Sequence, residues 1–403
     1  MIYNYTVLRL PLQYPEEKPM NNLHSQFLLD PEVIFLNHGS FGATPKPVFD
    51  TYQGWQRQLE TQPVKFLVRD FQENSRSARH QLAAFLGGDQ HNLVFIPNTT
   101  FGVNIIARSL NFQEGDEVLT SNHEYGACDN VWSFLNQKTG LKVVRQEIPL
   151  PLPSPEEIVD RIWQGVTDRT RLIFLSQITS PTAVRLPVDE ICRKARDAGI
   201  LTLIDGAHVP GQLDLNLEEI RADFYSGNCH KWLLAPKGSA FLHILPERQE
   251  LIEPLVVSWG WGENCSYESD SRILALLEWW GTKDPAAYLS VPAAIQFQED
   301  HKWDDIRGLC RTLLSETLAR IEMLTGMPSI YGHNKGNFIQ LGAVELPPGC
   351  QPEKLQSWLY DQHKIEIPVI EWENHWLIRP SVQGYNTREE LDKLLDAVEE
   401  YIK

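Results

Sequence analysis

The fold is decided by the stretch LIDGAHVPGQLDLNLEEIRADFYSGNCHKW, residues 203–232. It predicts a short apolar strand that ends at Asp205, a helical turn, and a second strand that leads through the polar run SGNCH to Lys231. In open parallel sheets, ligands bind at the carboxyl ends of the strands. The stretch therefore places an acid and a lysine on the binding edge of a sheet.

An acid and a lysine on that edge suit pyridoxal phosphate (PLP) chemistry. The amine of Lys231 would form a Schiff base with the cofactor aldehyde, and Asp205 would keep the pyridine nitrogen protonated so that the ring accepts electrons. A Schiff-base amine must be deprotonated, and burial lowers the pKa of a lysine. The spacing alone leaves the ordinary alternatives open, which are a solvent-facing lysine and an acid that caps the following turn.

The order of elements predicts an α/β protein. Between about residues 55 and 290, short apolar or β-branched runs alternate with helical patterns, which is typical of a mostly parallel sheet covered on both faces. The seven predicted strands span residues 93–97, 117–121, 142–148, 171–177, 200–205, 222–227 and 239–242.

The pattern changes after about residue 290. A long helix at 292–324, interrupted near the acidic stretch 300–305, precedes a last helix at 387–402. This order indicates a smaller α+β domain. Its predicted strands span residues 337–344, 365–368 and 376–379.

The composition excludes several classes of function. With 403 residues and a net charge of −17, the chain lacks the basic surface that nucleic-acid binding needs. No apolar run approaches the ~18 residues of a membrane helix. The six cysteines form no C-x-x-C pair, so we expect no metal site. Scattered thiols fit a reducing compartment, which predicts a cytoplasmic protein without membrane or nucleic-acid partners.

Further motifs run in order along nearly the whole chain and resemble the class V aminotransferase family, in particular its isopenicillin N epimerase-like branch. The resemblance implies a PLP-dependent enzyme of fold type I, whose large domain has a mostly parallel seven-stranded sheet beside a smaller α+β domain. The motifs are FLNHGSFGATPKPV (35–48), NTTFGVN (98–104), HEYGA (123–127), DGAHVPG (205–211), DFYSGNCHKW (223–232), PKGSAFL (236–242), GTKDPAAYL (281–289) and IRPSVQGYNTREELDKL (378–394).

The resemblance also implies a domain layout and a homodimer. We expect an N-terminal arm at 1–32, a segment at 33–54 that packs with the small domain, a PLP-binding domain at 55–290 and the small domain at 291–403. The loop that contains Thr282 resembles one that reaches the phosphate bound by the partner subunit. The predicted active site is therefore shared between two subunits.

The cofactor-binding residues are predicted at several strand ends. Residues 98–102 follow a strand and open a helix, whose free N–H groups and threonine hydroxyls suit a phosphate, with a simple helix cap as the alternative. The resemblance implies that His208 donates to the phenolic oxygen and that His123 stacks on the pyridine ring; either could instead be an ordinary turn, surface or core histidine. The predicted cofactor set is Thr99, Thr100, His123, Asp205, His208, Asn228, His230, Lys231 and Thr282, of which Lys231, Asp205 and His123 are the predicted catalytic residues.

Arg379 is the main candidate for binding an amino-acid substrate. A buried guanidinium offers a planar fork that matches a carboxylate, and the resemblance implies that Arg379 holds the α-carboxylate. The alternative is a salt bridge between domains. Asn37, His38 and Gly39, in the segment that closes over the site in relatives, and Ser180, which takes the place of a common asparagine, complete the predicted substrate set.

One departure from the family pattern narrows the set of reactions that the chain is expected to catalyse. Cysteine desulfurases of this family need a nucleophilic cysteine shortly before the carboxylate-binding arginine. Residues 365–377, IEIPVIEWENHWL, contain no cysteine, and Cys350 lies 29 residues before Arg379. Desulfuration through a persulfide is therefore disfavoured.

The favoured function is epimerisation at the α-carbon of an amino acid, by an isopenicillin N epimerase-like enzyme. A carbon–sulfur lyase that carries out β-elimination on a cysteine derivative and an aminotransferase stay open, because fold and cofactor support all three reactions. A PLP-binding module without turnover is disfavoured, since the lysine, the acid and the arginine are all present. The sequence identifies neither the substrate side chain nor a second acid–base group.

Overall fold

The computed structural model of the protein describes residues 23–262, 269, 271–332, 334 and 337–403. Most of the predicted N-terminal arm at 1–32 therefore lies outside the described residues. The domain boundaries after residues 32, 54 and 290 stay predictions.

The predicted seven-stranded, mostly parallel sheet is confirmed. Its strand order is β2-β8-β7-β6-β5-β3-β4, and within it β8 alone runs antiparallel to its neighbours. The described strands, in chain order, are β1 (Ile34–Phe35), β2 (Leu93–Ile96), β3 (Glu117–Ser121), β4 (Lys142–Gln146), β5 (Thr170–Ser176), β6 (Leu201–Asp205), β7 (Phe224–Asn228), β8 (Ala240–Ile244), β9 (Val344–Glu345), β10 (Ile365–Glu366), β11 (Val369–Trp372) and β12 (His375–Ile378).

Helices cover the sheet and build the rest of the molecule. Several begin at strong caps: Asn98 accepts a hydrogen bond at the start of α4, and Ser154 and Thr387 form capping boxes at α6 and α14. The described helices are α1 (His38–Phe41), α2 (Lys46–Thr61), α3 (Phe71–Phe85), α4 (Thr99–Ser109), α5 (Gly126–Thr139), α6 (Pro155–Gln164), α7 (Val188–Asp197), α8 (Leu217–Ile220), α9 (Arg272–Leu277), α10 (Ala286–Leu289), α11 (Val291–Asp300), α12 (Trp303–Thr325), α13 (Pro352–His363) and α14 (Arg388–Ile402), with a π-helical turn at Lys65–Asp70 and 3-10 turns at Leu23–Gln26, Gln90–Asn92 and Pro246–Leu251.

Apolar side chains on both faces bury the sheet. Successive residues of a strand point to opposite faces. In β5, Ile173 and Leu175 join one hydrophobic cluster, whereas Leu172 and Phe174 join another on the opposite face. Continuous apolar runs are what a sheet covered on both sides requires.

The small domain differs in detail from its prediction. Its sheet has the order β11-β12-β9 and is antiparallel. The predicted strand at 337–344 is wrong, because among the described residues only β9 forms there, and β11 was not predicted because its side chains are mostly half-buried or exposed. The predicted interruption of the long helix is confirmed: α11 ends at Asp300, and Lys302, with φ of 50°, turns the chain into α12.

The N-terminal segment is tied to both parts of the molecule. β1 pairs in parallel with β10, with Ile34 opposite Ile365. The short helix α1 ends at Gly42, whose N–H donates to the carbonyl of His38 over 2.8 Å. Gly42 has φ of 71° and ψ of 166°, a conformation that is essentially confined to glycine. A side chain at Gly42 would place its Cβ 2.0 Å from the carbonyl oxygen of His230, so this glycine allows the segment to lie against the Lys231 loop.

We expect Gly42→Ala to lower the free energy of unfolding by about 1–3 kcal/mol from backbone strain alone, with a further penalty because the clash is with backbone rather than with a flexible side chain. Urea unfolding measures the change. Gly54→Ala is the matched control, because Gly54 lies within α2 and an added Cβ there meets nothing within 4 Å. That variant should gain roughly 0.5–1 kcal/mol. Equal stability of the two variants would contradict the close approach.

Candidate active site

A cavity of about 420 Å³ opens at the carboxyl edge of the large sheet. The ends of β5, β6 and β7 and the start of α4 form its floor, and α1 and the residue after β12 close it from the other side. Pairing of Ser176 with Asp205, and of Asp205 with Ser226, places three strand ends side by side. The predicted site residues that line this cavity are Thr99, Thr100, Ser180, Asp205, His208, Asn228, His230, Lys231 and Arg379.

Lys231 lies in the loop that follows β7, and its half-buried side chain lines the cavity. Its Nζ atom is 3.0 Å from Nε2 of His208. Burial lowers the pKa of Lys231 to about 8, although the nearby charge of Asp205 opposes this shift. A neutral amine is the form that attacks an aldehyde or accepts a proton, and a pKa near 8 leaves roughly a tenth of the amine neutral at pH 7.

Asp205 ends β6 as a buried acid that lacks a cationic partner. Its side chain accepts a hydrogen bond from the N–H of Ala207 over 2.8 Å, and Sγ of Cys128 lies 3.7 Å from the other oxygen. Among the described residues it forms no ion pair, and burial raises its pKa. A buried carboxylate in this state is stabilised by a cationic N–H donor, which is what a protonated pyridine nitrogen offers.

The start of α4 is a candidate anion site. Oδ1 of Asn98 accepts from the N–H of Phe101 over 2.9 Å. Oδ1 of Asn228 accepts from the N–H and from the hydroxyl of Thr99, over 2.9 and 3.1 Å. Thr99 and Asn228 therefore hold each other, while the hydroxyl of Thr100 has no partner among the described residues. Thr100 and the helix start are left to face an anion.

Two basic side chains flank this anion site. Nδ1 of His230 donates to the carbonyl of Ser239 over 3.1 Å, and burial, together with the charge of Lys231, lowers the pKa of His230 to about 4. A phosphate beside the free Nε2 would favour the protonated ring and raise that pKa again. Lys237, which the sequence analysis missed, also lines the cavity and donates to the carbonyl of Gly42 over 3.0 Å. Its only signal in the sequence was its place in the PKGSAFL motif.

Arg379 is a buried cation that forms no ion pair with an acidic side chain of the described residues. Its side chain donates to the carbonyl and, over 3.3 Å, to the hydroxyl of Ser180, and over 3.4 Å to the hydroxyl of Ser40. Its Nε atom has no partner, and no carboxylate pairs with it among the described residues. Burial lowers its pKa to about 10, so it stays charged at neutral pH. The arrangement suits an incoming carboxylate.

The structure does not bring His123 into the cavity. Its Nε2 donates to the carbonyl of Ile148 and its Nδ1 bonds the hydroxyl of Thr182, each over 2.7 Å, and its ring centre lies 4.4 Å from that of Trp372. With both nitrogens engaged, His123 has no free group for acid–base chemistry, so its predicted catalytic role does not fit this placement. Its predicted stacking on the pyridine ring stays a prediction. Tyr125, two residues on, lines the cavity instead.

A buried carboxyl fixes the turn that carries Tyr125. Oε1 of Glu124 accepts from the hydroxyl of Ser121 over 2.6 Å, and Oε2 accepts from the N–H and hydroxyl of Ser176 over 2.8 and 2.6 Å. These bonds join the ends of β3 and β5. Burial, with a further contribution from the charge of Asp205, raises the pKa of Glu124 to about 8.

Of the contacts predicted from the N-terminal segment, Gly39 lines the cavity and the other two do not. Asn37 donates to Oε1 of Glu366 over 3.0 Å, and Nε2 of His38 donates to the carbonyl of Lys231 over 3.1 Å. Neither lines the cavity, whereas the adjacent residues 39–41 do. His38 therefore supports the backbone of Lys231 rather than a substrate. Thr282 is exposed and does not line the cavity of its own chain.

The residues present fit PLP. The start of α4 with Thr100 and His230 would hold the phosphate, Asp205 would accept from the ring nitrogen, and Lys231 would bond the aldehyde. Each of these groups lacks, in the protein itself, the partner that the cofactor would supply. Arg379 remains available for a substrate.

Comparison with known proteins shows the family of the chain. The family model Aminotransferase class-V matches residues 34–394. The chain is 36% identical to the isopenicillin N epimerase of Amycolatopsis lactamdurans over 392 residues, which cover 95% of this chain and 98% of that protein. It is 27% identical to a probable chloroplastic L-cysteine desulfhydrase of Arabidopsis thaliana, with 97% and 88% covered.

A solved structure supports the fold. A variant of the enzyme C-DES, with glycine covalently linked to its PLP cofactor, superposes with a TM-score of 0.80 at 19% identity and covers 94% of this chain and 99% of that one. The predicted family and the predicted fold are thus confirmed. The chain belongs to the class V aminotransferase family.

Proposed function

We propose that this protein is a PLP-dependent enzyme that acts at the α-carbon of an amino acid and inverts it, as the isopenicillin N epimerases to which it is similar do by name. The observation that carries the proposal is the presence in one cavity of a buried arginine, Arg379, with no acidic partner among the described residues, and a largely desolvated lysine, Lys231. The predictions of an enzyme and of PLP as its cofactor are confirmed by the family match together with the PLP-bearing neighbour.

When bound, PLP supplies an electron sink for the pair left behind when a bond to the α-carbon breaks. The protein supplies the remaining functions. Arg379 binds the α-carboxylate through its planar fork and so orients the α-carbon. Lys231 accepts the α-proton at Nζ, which burial keeps partly neutral near pH 7. Asp205, as a carboxylate, stabilises positive charge at the base of the cavity.

Inversion needs a proton donor in addition to Lys231, and Tyr125 is the group that suits this role. It lines the cavity with 47% of its surface exposed, and its hydroxyl has no hydrogen-bond partner among the described residues. The other titratable side chains of the cavity are all bonded to protein groups: Asp205, His208, His230, Lys231, Lys237 and Arg379.

Carbon–sulfur lyase activity is the second candidate. The observation that favours it is the similarity to proteins named L-cysteine desulfhydrases, at 27% identity over 97% of this chain and 31% over 71%. Loss of a β-substituent needs only one base at the α-carbon, so Lys231 alone would serve, and Tyr125 would not be required. Transamination stays the third alternative.

The homodimer and the cytoplasmic location stay predictions. The exposed position of Thr282 outside its own cavity is compatible with a role toward a phosphate bound by a partner subunit. No helix in the described part of the chain is long and apolar enough to cross a membrane.

A screen of L- and D-amino acids in deuterated water tests the proposed function. We expect deuterium at the α-carbon with loss of stereochemistry for the true substrate class. Pyruvate with sulfide would identify the lyase, and a stable keto acid would identify the aminotransferase. Absence of α-proton exchange and of product with every amino acid would contradict the proposal.

Arg379→Ala should lower kcat/KM for α-amino acids by about 30- to 1000-fold, or ~2–4 kcal/mol, because a charge-assisted bidentate contact is lost. Arg379→Lys should recover little, since a point charge does not reproduce the fork. The visible absorption of bound PLP should persist in both variants. Arg193→Ala, at an exposed arginine of α7, is the control and should leave kcat/KM unchanged. Normal kcat/KM in Arg379→Ala would place the carboxylate elsewhere.

Tyr125→Phe separates epimerisation from elimination. It removes one hydroxyl and should slow inversion by roughly 10²-fold or more, while exchange of the α-proton through Lys231 continues with retention of configuration. Chiral chromatography combined with mass spectrometry in deuterated water measures both rates. Tyr360→Phe, at an exposed position on α13, serves as the control. Inversion at the unaltered rate in Tyr125→Phe would exclude this tyrosine.

A further inference from the structure

Trp232 directly follows Lys231 and is fully buried, and its indole nitrogen forms a hydrogen bond. Nε1 of Trp232 donates to Nδ1 of His208 over 3.2 Å. On the other side of the same imidazole, Nε2 of His208 lies 3.0 Å from Nζ of Lys231. The three side chains thus form one hydrogen-bonded row from tryptophan through histidine to lysine.

The chemistry of the three groups fixes which atom donates and which accepts in each hydrogen bond of this row. An indole N–H can only donate, so Nδ1 of His208 must accept and carries no hydrogen. A neutral imidazole has one N–H, which must then be on Nε2. Nε2 therefore donates, and Nζ of Lys231 must accept. An ammonium group has no lone pair to accept with, so the row is complete only when the lysine is a neutral amine.

We propose that Trp232 is a positioning residue that fixes His208 as the Nε2–H tautomer, and that through His208 it favours the neutral form of Lys231. Without the indole N–H, His208 could move its hydrogen to Nδ1 and accept from a protonated Lys231 through Nε2. The indole thus excludes the tautomer that would stabilise the inactive ammonium form. The row also presents Nε2–H as a donor toward the cavity.

The groups around the row leave control of the protonation state of Lys231 to the row itself. Trp232 is held in place by the ring of His38, whose centre is 4.9 Å away, and burial keeps His208 from becoming protonated by lowering its pKa. The other groups that face Lys231 act in opposite directions: Asp205 and Cys128 raise its pKa, and Arg379 lowers it. The charges of His230 and Lys237 lie in the same cavity.

The meaning of the row for catalysis rests on the proposed function, since His208 is predicted to donate to the phenolic oxygen of PLP. A fixed Nε2–H would make that donation obligatory. The tautomer and the proton affinity of Lys231, in contrast, are properties of the protein alone, and they are measurable whether or not the protein turns over amino acids.

The direct test is ¹⁵N NMR of the full chain, labelled at its twelve histidines, without PLP and then with it. His208→Gln identifies the His208 signals by their loss. We expect Nε2 to be the protonated nitrogen of His208 in the unaltered protein. A protonated Nδ1 there would overturn the proposal without recourse to any variant of Trp232.

Trp232→Phe tests the consequence for Lys231. It keeps an aromatic ring but removes the N–H, so the Nδ1–H tautomer should appear and the apparent pKa of Lys231 should rise by about one pH unit, as expected for one hydrogen bond. Reductive methylation of the cofactor-free protein across pH, followed by mass spectrometry of the peptide that contains Lys231, measures that pKa. An unchanged tautomer together with an unchanged pKa would refute the proposal.

Two controls separate this effect from a packing defect. Trp132→Phe removes another fully buried indole, one whose Nε1 has no partner, and should leave the Lys231 profile unchanged. In the His208→Leu background, Trp232→Phe should no longer shift the profile, because an aliphatic side chain neither accepts from the indole nor donates to the amine. A shift of equal size in Trp132→Phe, or in the His208→Leu background, would assign the effect to packing and contradict the proposal.

Discussion

The chemistry of the site depends on one constraint: half-buried Lys231 and buried Asp205 and Arg379 share a single cavity without pairing with one another. Burial costs each charge its hydration, and a paired arrangement would recover much of that cost internally. Among the described residues, Asp205 has only an amide N–H and a thiol as partners, and Arg379 has only serine hydroxyls and a carbonyl. The protein holds its charges apart, so each one is available to a molecule that enters the cavity.

Keeping these charges apart requires a rigid frame. The strand ends carry Asp205 and Asn228, the bonds of Glu124 join β3 to β5, and His38 holds the carbonyl of Lys231. The N-terminal segment can approach the loop of Lys231 only because Gly42 adopts a backbone conformation that is essentially confined to glycine. Residues from both ends of the chain therefore fix the position of one amine, which preorganises the site before any ligand binds.

Much of this architecture could be predicted from the sequence, because buried parallel strands read as continuous apolar runs and their ends carry the polar residues of the site. The prediction of Lys231, Asp205 and Arg379 in one place followed from that rule and from the resemblance to relatives. The short edge strands β9 and β11 were not predictable, since half-buried residues show no clear alternation.

The predicted site residues that do not line the cavity have a common explanation. His123 and Tyr125 lie in the same motif, and which of them faces the cavity depends on the turn after β3, which is set by the long-range bonds of Glu124 to Ser176. Asn37 and His38 likewise sit beside the residues that do reach the cavity. Motifs locate such a segment to within a few residues, but tertiary contacts decide which side chain points inward.

Lys231 is central to this site as the residue that would carry the cofactor. Borohydride reduction of the protein with bound PLP, followed by digestion and mass spectrometry, identifies the lysine to which the cofactor is bonded. We expect a phosphopyridoxyl group on Lys231, none on the neighbouring cavity residue Lys237, and none at either site in Lys231→Ala. A cofactor attached to Lys237 or to any other lysine would contradict this expectation.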